Sequence, residues 1–126
     1  TCMTDVTGFG LLGHLLEICQ GSDVAATVNL KDVPLLDNAV IDYLNQGCVP
    51  GGSTRNWESI HQHIHGTDQQ SQTLLCDPQT SGGLLISVEP AEADKVSQLL
   101  KQAGCYHLPI GELMNATDGP QIKVMA

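Results

Sequence analysis

Apolar positions recur at helical spacing in some stretches of the chain and crowd into short runs in others, and the switches mark its elements. Residues 8–20, GFGLLGHLLEICQ, place apolar side chains at 9, 12, 16 and 19, with 11, 15 and 18 beside them. That spacing with so broad a face predicts a mostly buried helix, stopped by Gly21-Ser22. Val24–Leu30, rich in Val, Ala and Thr, predicts a strand. After Pro34, apolar residues at 36, 39, 40, 43 and 44 predict a helix over Leu35–Asn45 ending at Gly47. Cys48–Ser53 reads as a loop, Asn56–His65 as a short amphipathic helix carrying Trp57, Ile60 and Ile64, and polar Gly66–Gln72 as an exposed loop. The run Leu84–Val88 predicts a buried strand. Pro90 suits a helix start, Ala91–Ala103 turns Val96, Leu99 and Leu100 to one face, and Gly104 suits its C-cap. Tyr106–Leu113 and Gln121–Val124 predict closing strands around a turn at Asn115–Pro120. Helices and strands are mixed without strict alternation and without an internal repeat, which predicts an α+β sandwich.

Composition narrows the choice of function. A chain of 126 residues fits one domain. With 41% hydrophobic and 15% charged residues it carries enough apolar surface to fold. Aromatics are limited to one Trp, two Tyr and one Phe, so the core is expected to consist of Leu, Ile, Val and Ala. Fourteen acidic against five basic residues give a formal charge of -9, with Arg55 the sole arginine. Nucleic-acid binding needs clustered cations, so that role is excluded as a primary one, and adhesion to anionic membranes with it. No apolar run approaches the roughly 20 residues of a membrane span, and TCMTDVTGFG lacks the basic start of a signal peptide. Five cysteines, at 2, 19, 48, 76 and 105, are odd in number and form no CxxC, which favours reduced thiols in the cytoplasm over a disulfide or zinc framework. A start without Met, running directly into a motif, is explained most simply by a piece of a longer protein.

Three segments break local rules. In Asp5-Val6-Thr7-Gly8-Phe9-Gly10-Leu11-Leu12-Gly13-His14, three glycines enter a helix that prefers Ala. Glycine permits close backbone approach, either to another element or to a ligand. The packing reading makes Asp5 or Thr7 an N-cap. The functional reading makes the amides near Gly8–Gly10 an anion site and Asp5 a hard oxygen ligand for Mg²⁺. Pro50-Gly51-Gly52-Ser53-Thr54-Arg55-Asn56 offers amides, hydroxyls and a guanidinium suited to phosphate or carboxylate, or else a helix cap with a solvated Arg55. It is not a Walker A loop, since no Gly-Lys-Ser/Thr follows. Asp77-Pro78-Gln79-Thr80-Ser81-Gly82-Gly83 is either a plain turn or the lining of a neighbouring site. His61, His63 and His65 lack acidic or Cys partners nearby in sequence and read as surface residues, and His14 as a hydrogen-bonded core or interface histidine.

Together these segments resemble the signatures of the selenophosphate synthetase (selenide, water dikinase) family: Thr4–Leu15 and Asp77–Leu85 as two long motifs, Pro50–Asn56 as a third, in the same order. The likeness spans most of residues 1–125. It implies a mixed β-sheet with helices packed on it, the fold of the C-terminal domain of aminoimidazole ribonucleotide synthetase-type proteins. It implies that residues 1–126 are one domain, the C-terminal half of a two-domain enzyme that makes selenophosphate, AMP and phosphate from selenide, ATP and water. The N-terminal half would hold the reactive Cys or selenocysteine, the catalytic Lys and most of the Mg²⁺-binding aspartates. No catalytic residue is then expected in this chain, and the chain alone is expected to be inactive. Carried over by position, Asp5 is the metal ligand; Thr7, Gly8, Gly10, Arg55, Asn56, Thr80 and Ser81 are the candidates for the nucleotide side. The implied cofactors are Mg²⁺ and ATP, and the implied partners are selenide, the chain's own N-terminal domain and a second copy in a cytoplasmic homodimer. An ADP-forming relative of the same superfamily and a non-catalytic interaction domain are the alternative readings.

Overall fold

The computed structural model describes residues 2–126. Among them are six strands and five α-helices: β1 (Cys2–Asp5), α1 (Gly10–Ser22), β2 (Val24–Asn29), α2 (Ala39–Asn45), α3 (Gly51–Ile60), β3 (Ile64–His65), α4 (Gln69–Leu75), β4 (Leu84–Ser87), α5 (Ala93–Gln102), β5 (Gly111–Asn115) and β6 (Ile122–Met125). The α+β expectation holds. Strands β3, β6, β2 and β5 lie in that order in one mixed sheet, parallel where β6 meets β2 and β3 and antiparallel where β5 meets β2. β1 and β4 form a separate antiparallel ribbon, with Cys2 opposite Ser87 and Asp5 opposite Leu84.

The core follows from helix α1. Leu12, Leu15, Leu16 and Cys19 project from it onto Ala26 and Val28 of β2 and Ile122 and Val124 of β6. Ile60, Ile64, Leu75 and Cys76 close the cluster from the side of α3, β3 and α4. Leu12, Cys19, Cys76 and Ile122 are fully buried. Removing surface of this kind from water is the main drive to fold, at roughly 25 cal/mol per Å². As composition predicts, this cluster is aliphatic, with Trp57 packed only at its margin. Among the described residues no helix is long and apolar enough to cross a membrane.

Several expectations need correction. Helix α1 runs through Gly21-Ser22 and stops at Asp23, which adopts the left-handed conformation (φ 52°) and donates its N–H to the Cys19 carbonyl. Helix α2 begins at Ala39 rather than Leu35. Helix α3 begins at Gly51, inside the expected loop, and gives way after Ile60 to a 3-10 turn at His61–His63 and to β3. Of the run 84–88, Leu84–Ser87 is a strand but not a buried one: among the described residues its only sheet partner is β1, so one face of the ribbon stays open and Leu84 is 61% exposed. The closing strand expected from Tyr106 starts at Gly111.

The polar stretch read as a loop at 66–72 contains the start of α4, and its cap explains why. The Asp68 carboxylate accepts from the Ser71 N–H at 2.8 Å, while Ser71 Oγ accepts from the Asp68 N–H at 2.9 Å. Each partner satisfies an amide that the first helical turn leaves open. The Ser71 hydroxyl, and then the Ser71 amide, hold the Asp68 carboxyl below the usual carboxylate range. A carboxyl lowered in the folded state supports the fold above its unfolded value and loses that support as pH falls through the folded one. Asp68→Ala is therefore expected to lower Tm near neutral pH. Melts from about pH 7 to about pH 3 should show the gap to the parent narrowing with acidity.

Candidate functional site

The three unusual segments meet, and they meet through backbone carbonyls. The Thr7 carbonyl, one turn before α1, accepts from the Gly10 N–H at 3.0 Å and from the Gln79 N–H at 3.1 Å. The Val6 N–H donates to the Gly83 carbonyl at 2.9 Å. The Asn56 side-chain amide donates from Nδ2 to the Gly8 carbonyl at 2.8 Å and to the Cys76 carbonyl at 2.9 Å. One asparagine on α3 thus ties the glycine turn of the first segment to Cys76, the residue before the Asp77 segment, and both its N–H donors are used in doing so.

This closeness explains two glycines. Gly10 has φ +73°, and a Cβ there would sit 2.7 Å from the Cys76 carbonyl carbon. A side chain at Gly82 would collide with the Val6 carbonyl. The first is excluded by conformation and space together, the second by space.

Asp77 enters the same joint. It accepts from Gln79 Nε2 and, at 3.5 Å, from the Ser53 hydroxyl of α3. Burial pushes its carboxyl above the usual range, with the Ser53 and Gln79 bonds opposing that shift in part. Its charge is thus a net cost to the folded state, the reverse of Asp68. The sequence allows the Asp77 segment to be a plain turn or a site lining and does not show its bond to α3; the available signal is an acid immediately after the apolar run Leu74-Leu75-Cys76.

The remaining candidates are distributed around this joint. Asp5 ends β1, exposed, on the same ribbon face as Met3, Leu84 and Ile86. Gly8 is exposed, and Thr7 is half-buried with its Oγ1 3.0 Å from His14 Nε2. Arg55 is exposed and folds back toward Gly51, and among the described residues it forms no ion pair. Thr80 and Ser81 are exposed on the bend before β4. His61 donates Nδ1–H to the Glu58 carbonyl at 2.9 Å, His63 is half-buried, and His65 is exposed on β3. Among the described residues no three metal-ligating side chains come together. The exposed Asp5 carboxylate is a hard oxygen donor of the kind Mg²⁺ takes, and a full coordination sphere would need further groups from elsewhere.

A mixed sheet with helices packed on it and a glycine turn bonded to the bend before β4 define this chain as an α+β module. Residues 1–123 match the family model described as "AIR synthase related protein, C-terminal domain", and the chain belongs to that family. It is 51% identical over 126 residues to the selenide, water dikinase of Colwellia psychrerythraea, covering 100% of this chain and 36% of the relative. It is 56% identical over 117 residues to that of Yersinia pseudotuberculosis, covering 92% of this chain and 33% of the relative. For Aeromonas salmonicida the figures are 48% over 123 residues, 98% and 35%. The resemblance read from the motifs is thus borne out, and the chain spans about a third of the length of the curated relatives it matches.

Both supports of the joint are expected to matter for stability, one through lost hydrogen bonds and the other through strain and a clash. Asn56→Ala removes two hydrogen bonds at roughly 1 kcal/mol each, so a loss of about 2 kcal/mol is expected. Gly10→Ala adds a left-handed alanine and a clash with Cys76, and is expected to cost at least about 2 kcal/mol. Urea unfolding of both variants measures the two losses.

Proposed function

We propose that this chain is the C-terminal domain of a two-domain selenophosphate synthetase, acting with its own N-terminal domain on ATP, selenide and water. The observation that carries this is the roughly half-identical match, over essentially the whole chain, to relatives named selenide, water dikinase. The joint of the three motifs supports it, because it holds Asp5, Thr7 and Gly8 on one short stretch tied by hydrogen bonds to the third motif. An open ribbon face with Met3 62% and Leu84 61% exposed, and Phe9 at 59% nearby in sequence, supports a neighbouring domain that covers it. The homodimer expected from the family and a cytoplasmic setting belong to the same proposal.

Within it, Asp5 contributes one carboxylate to Mg²⁺ from the edge of the domain. Bound Mg²⁺ supplies neutralisation of the ATP phosphates, which otherwise repel a nucleophile. Thr7, Gly8 and Gly10 form the turn on the nucleotide side. Arg55, with Thr80 and Ser81, offers charge and hydroxyls along the cleft wall. Asn56 serves that wall by holding the turn in place, since both its donors are engaged with carbonyls. The N-terminal domain supplies the nucleophile.

Phosphorus NMR of the full-length parent with ATP, Mg²⁺ and selenide, kept anaerobic, tests the proposal. Selenophosphate with AMP and free phosphate is the expected product set. ADP, or turnover without selenide, would move the protein to another branch of the family. Asp5→Asn in the full-length protein is expected to cut turnover about 100-fold or more. Near-normal turnover would remove the metal-ligand role of Asp5 and favour a domain that serves only as an interaction surface.

A further inference from the structure

Three contacts join the first two turns of α3 to residues 76–78. Asn56 donates to the Cys76 carbonyl at 2.9 Å, the Ser53 hydroxyl donates to Asp77 Oδ1 at 3.5 Å, and Gly52 lies against Pro78, where a Cβ would come 2.9 Å from Pro78 Cγ. Asp77 also reaches along its own segment, because its second oxygen, Oδ2, accepts from Gln79 Nε2. The Gln79 N–H in turn donates to the Thr7 carbonyl. One carboxylate thus stands between α3, which carries Arg55, and the bend that carries Thr80 and Ser81 and grips the glycine turn.

The chemistry of an acid suits that place. An ionised carboxylate only accepts, so it takes one donor on each oxygen, from Ser53 and from Gln79 at once. Ser53 is 1% exposed, so water is no substitute partner for its hydroxyl. Bonds to a charged acceptor are roughly twice as strong as neutral ones. An amide in place of Asp77 would offer one oxygen and one N–H. Gln79 could still pair with it by turning its own amide over, but both bonds would then be neutral. Stability alone does not favour the acid, because burial makes its charge a net cost to the folded state. What the charge supplies is a firmer hold on two donors, the kind of exchange of stability for geometry found at functional sites.

We propose that Asp77 is a positioning residue for nucleotide binding: gripping Ser53 and Gln79, it sets where the Thr7–Gly8 turn, Thr80-Ser81 and the start of α3 with Arg55 stand relative to one another. This rests on the reading of those residues as the nucleotide side. Asp77 itself touches neither nucleotide nor metal.

The test uses the full-length parent protein, with binding of a non-hydrolysable ATP analogue and Mg²⁺ measured by calorimetry and Tm measured alongside. Asp77→Asn is expected to weaken binding about fivefold, the scale of trading charged bonds for neutral ones, and to raise Tm near neutral pH. A residue that only supports the fold would move the two together. Loss of a negative charge acting directly on a polyphosphate would tighten binding. Unchanged or tighter binding in Asp77→Asn, or weaker binding with a Tm at or below the parent's, would therefore overturn the proposal. Asp77→Ala leaves both donors without this acceptor and is expected to weaken binding about 10-fold or more. An effect smaller than that of Asp77→Asn would overturn the proposal as well. Binding unchanged when Arg55, Thr80 and Ser81 are together replaced by Ala would overturn their nucleotide-side reading, and this proposal with it. A loss there beside unchanged binding in Asp77→Asn would overturn the positioning role alone.

Discussion

The Thr7 carbonyl is the point on which the arrangement depends. It accepts from two amides, one at the head of α1 and one in the bend before β4. A carbonyl has two lone pairs, and here both serve the fold. Around it the Gly8 and Cys76 carbonyls share one donor, the Asn56 amide. Carbonyl oxygens crowded in this way repel one another unless donors lie between them. The asparagine and the two amides are those donors, and the Cys76 backbone held there leaves no room for a Cβ at Gly10.

This constraint links the core to the ribbon. Cys76 lies in the hydrophobic cluster with Leu12 and Leu75, while its carbonyl faces the joint. Burial also pushes the Cys76 thiol up to about 11, which keeps it protonated and inert as a nucleophile. The packing of α1 on the sheet therefore determines where the glycine turn sits. The ribbon that carries Asp5 lies outside the main sheet, its ladder continued by the Val6–Gly83 bond and its Leu85 packed against the core. An exposed acid is thereby held next to a rigid turn without a burial cost.

Much of the organisation was legible from pattern. Helix α1, strand β2 and the final strand followed from apolar spacing, because each packs one continuous face on the core. The polar start of α4 was not legible from spacing, since its first turn is organised by the Asp68–Ser71 exchange rather than by an apolar stripe. Helix α3 was placed too late because Gly51 and Gly52 are poor helix formers. A side chain at Gly52 would come 2.9 Å from Pro78 Cγ, and that close contact favours glycine over a better helix former. The strand β4 was read as buried because its composition is apolar, although an apolar strand in a two-stranded ribbon has only one face covered.

Sequence alone determined the fold class, the family and the three motifs, because residue type and order are what those properties consist of. It also singled out Asp5 and the glycines, since rule-breaking residues are visible without coordinates. Only the tertiary structure decided what the motifs do to one another. That Asn56 faces inward to two carbonyls, that Asp77 bonds to Ser53, and that His14 stands between Thr7 and Glu17 are matters of direction across elements 20 or more residues apart or around a helix turn. Hydrogen bonds depend on angle and distance, and neither is encoded in spacing along the chain.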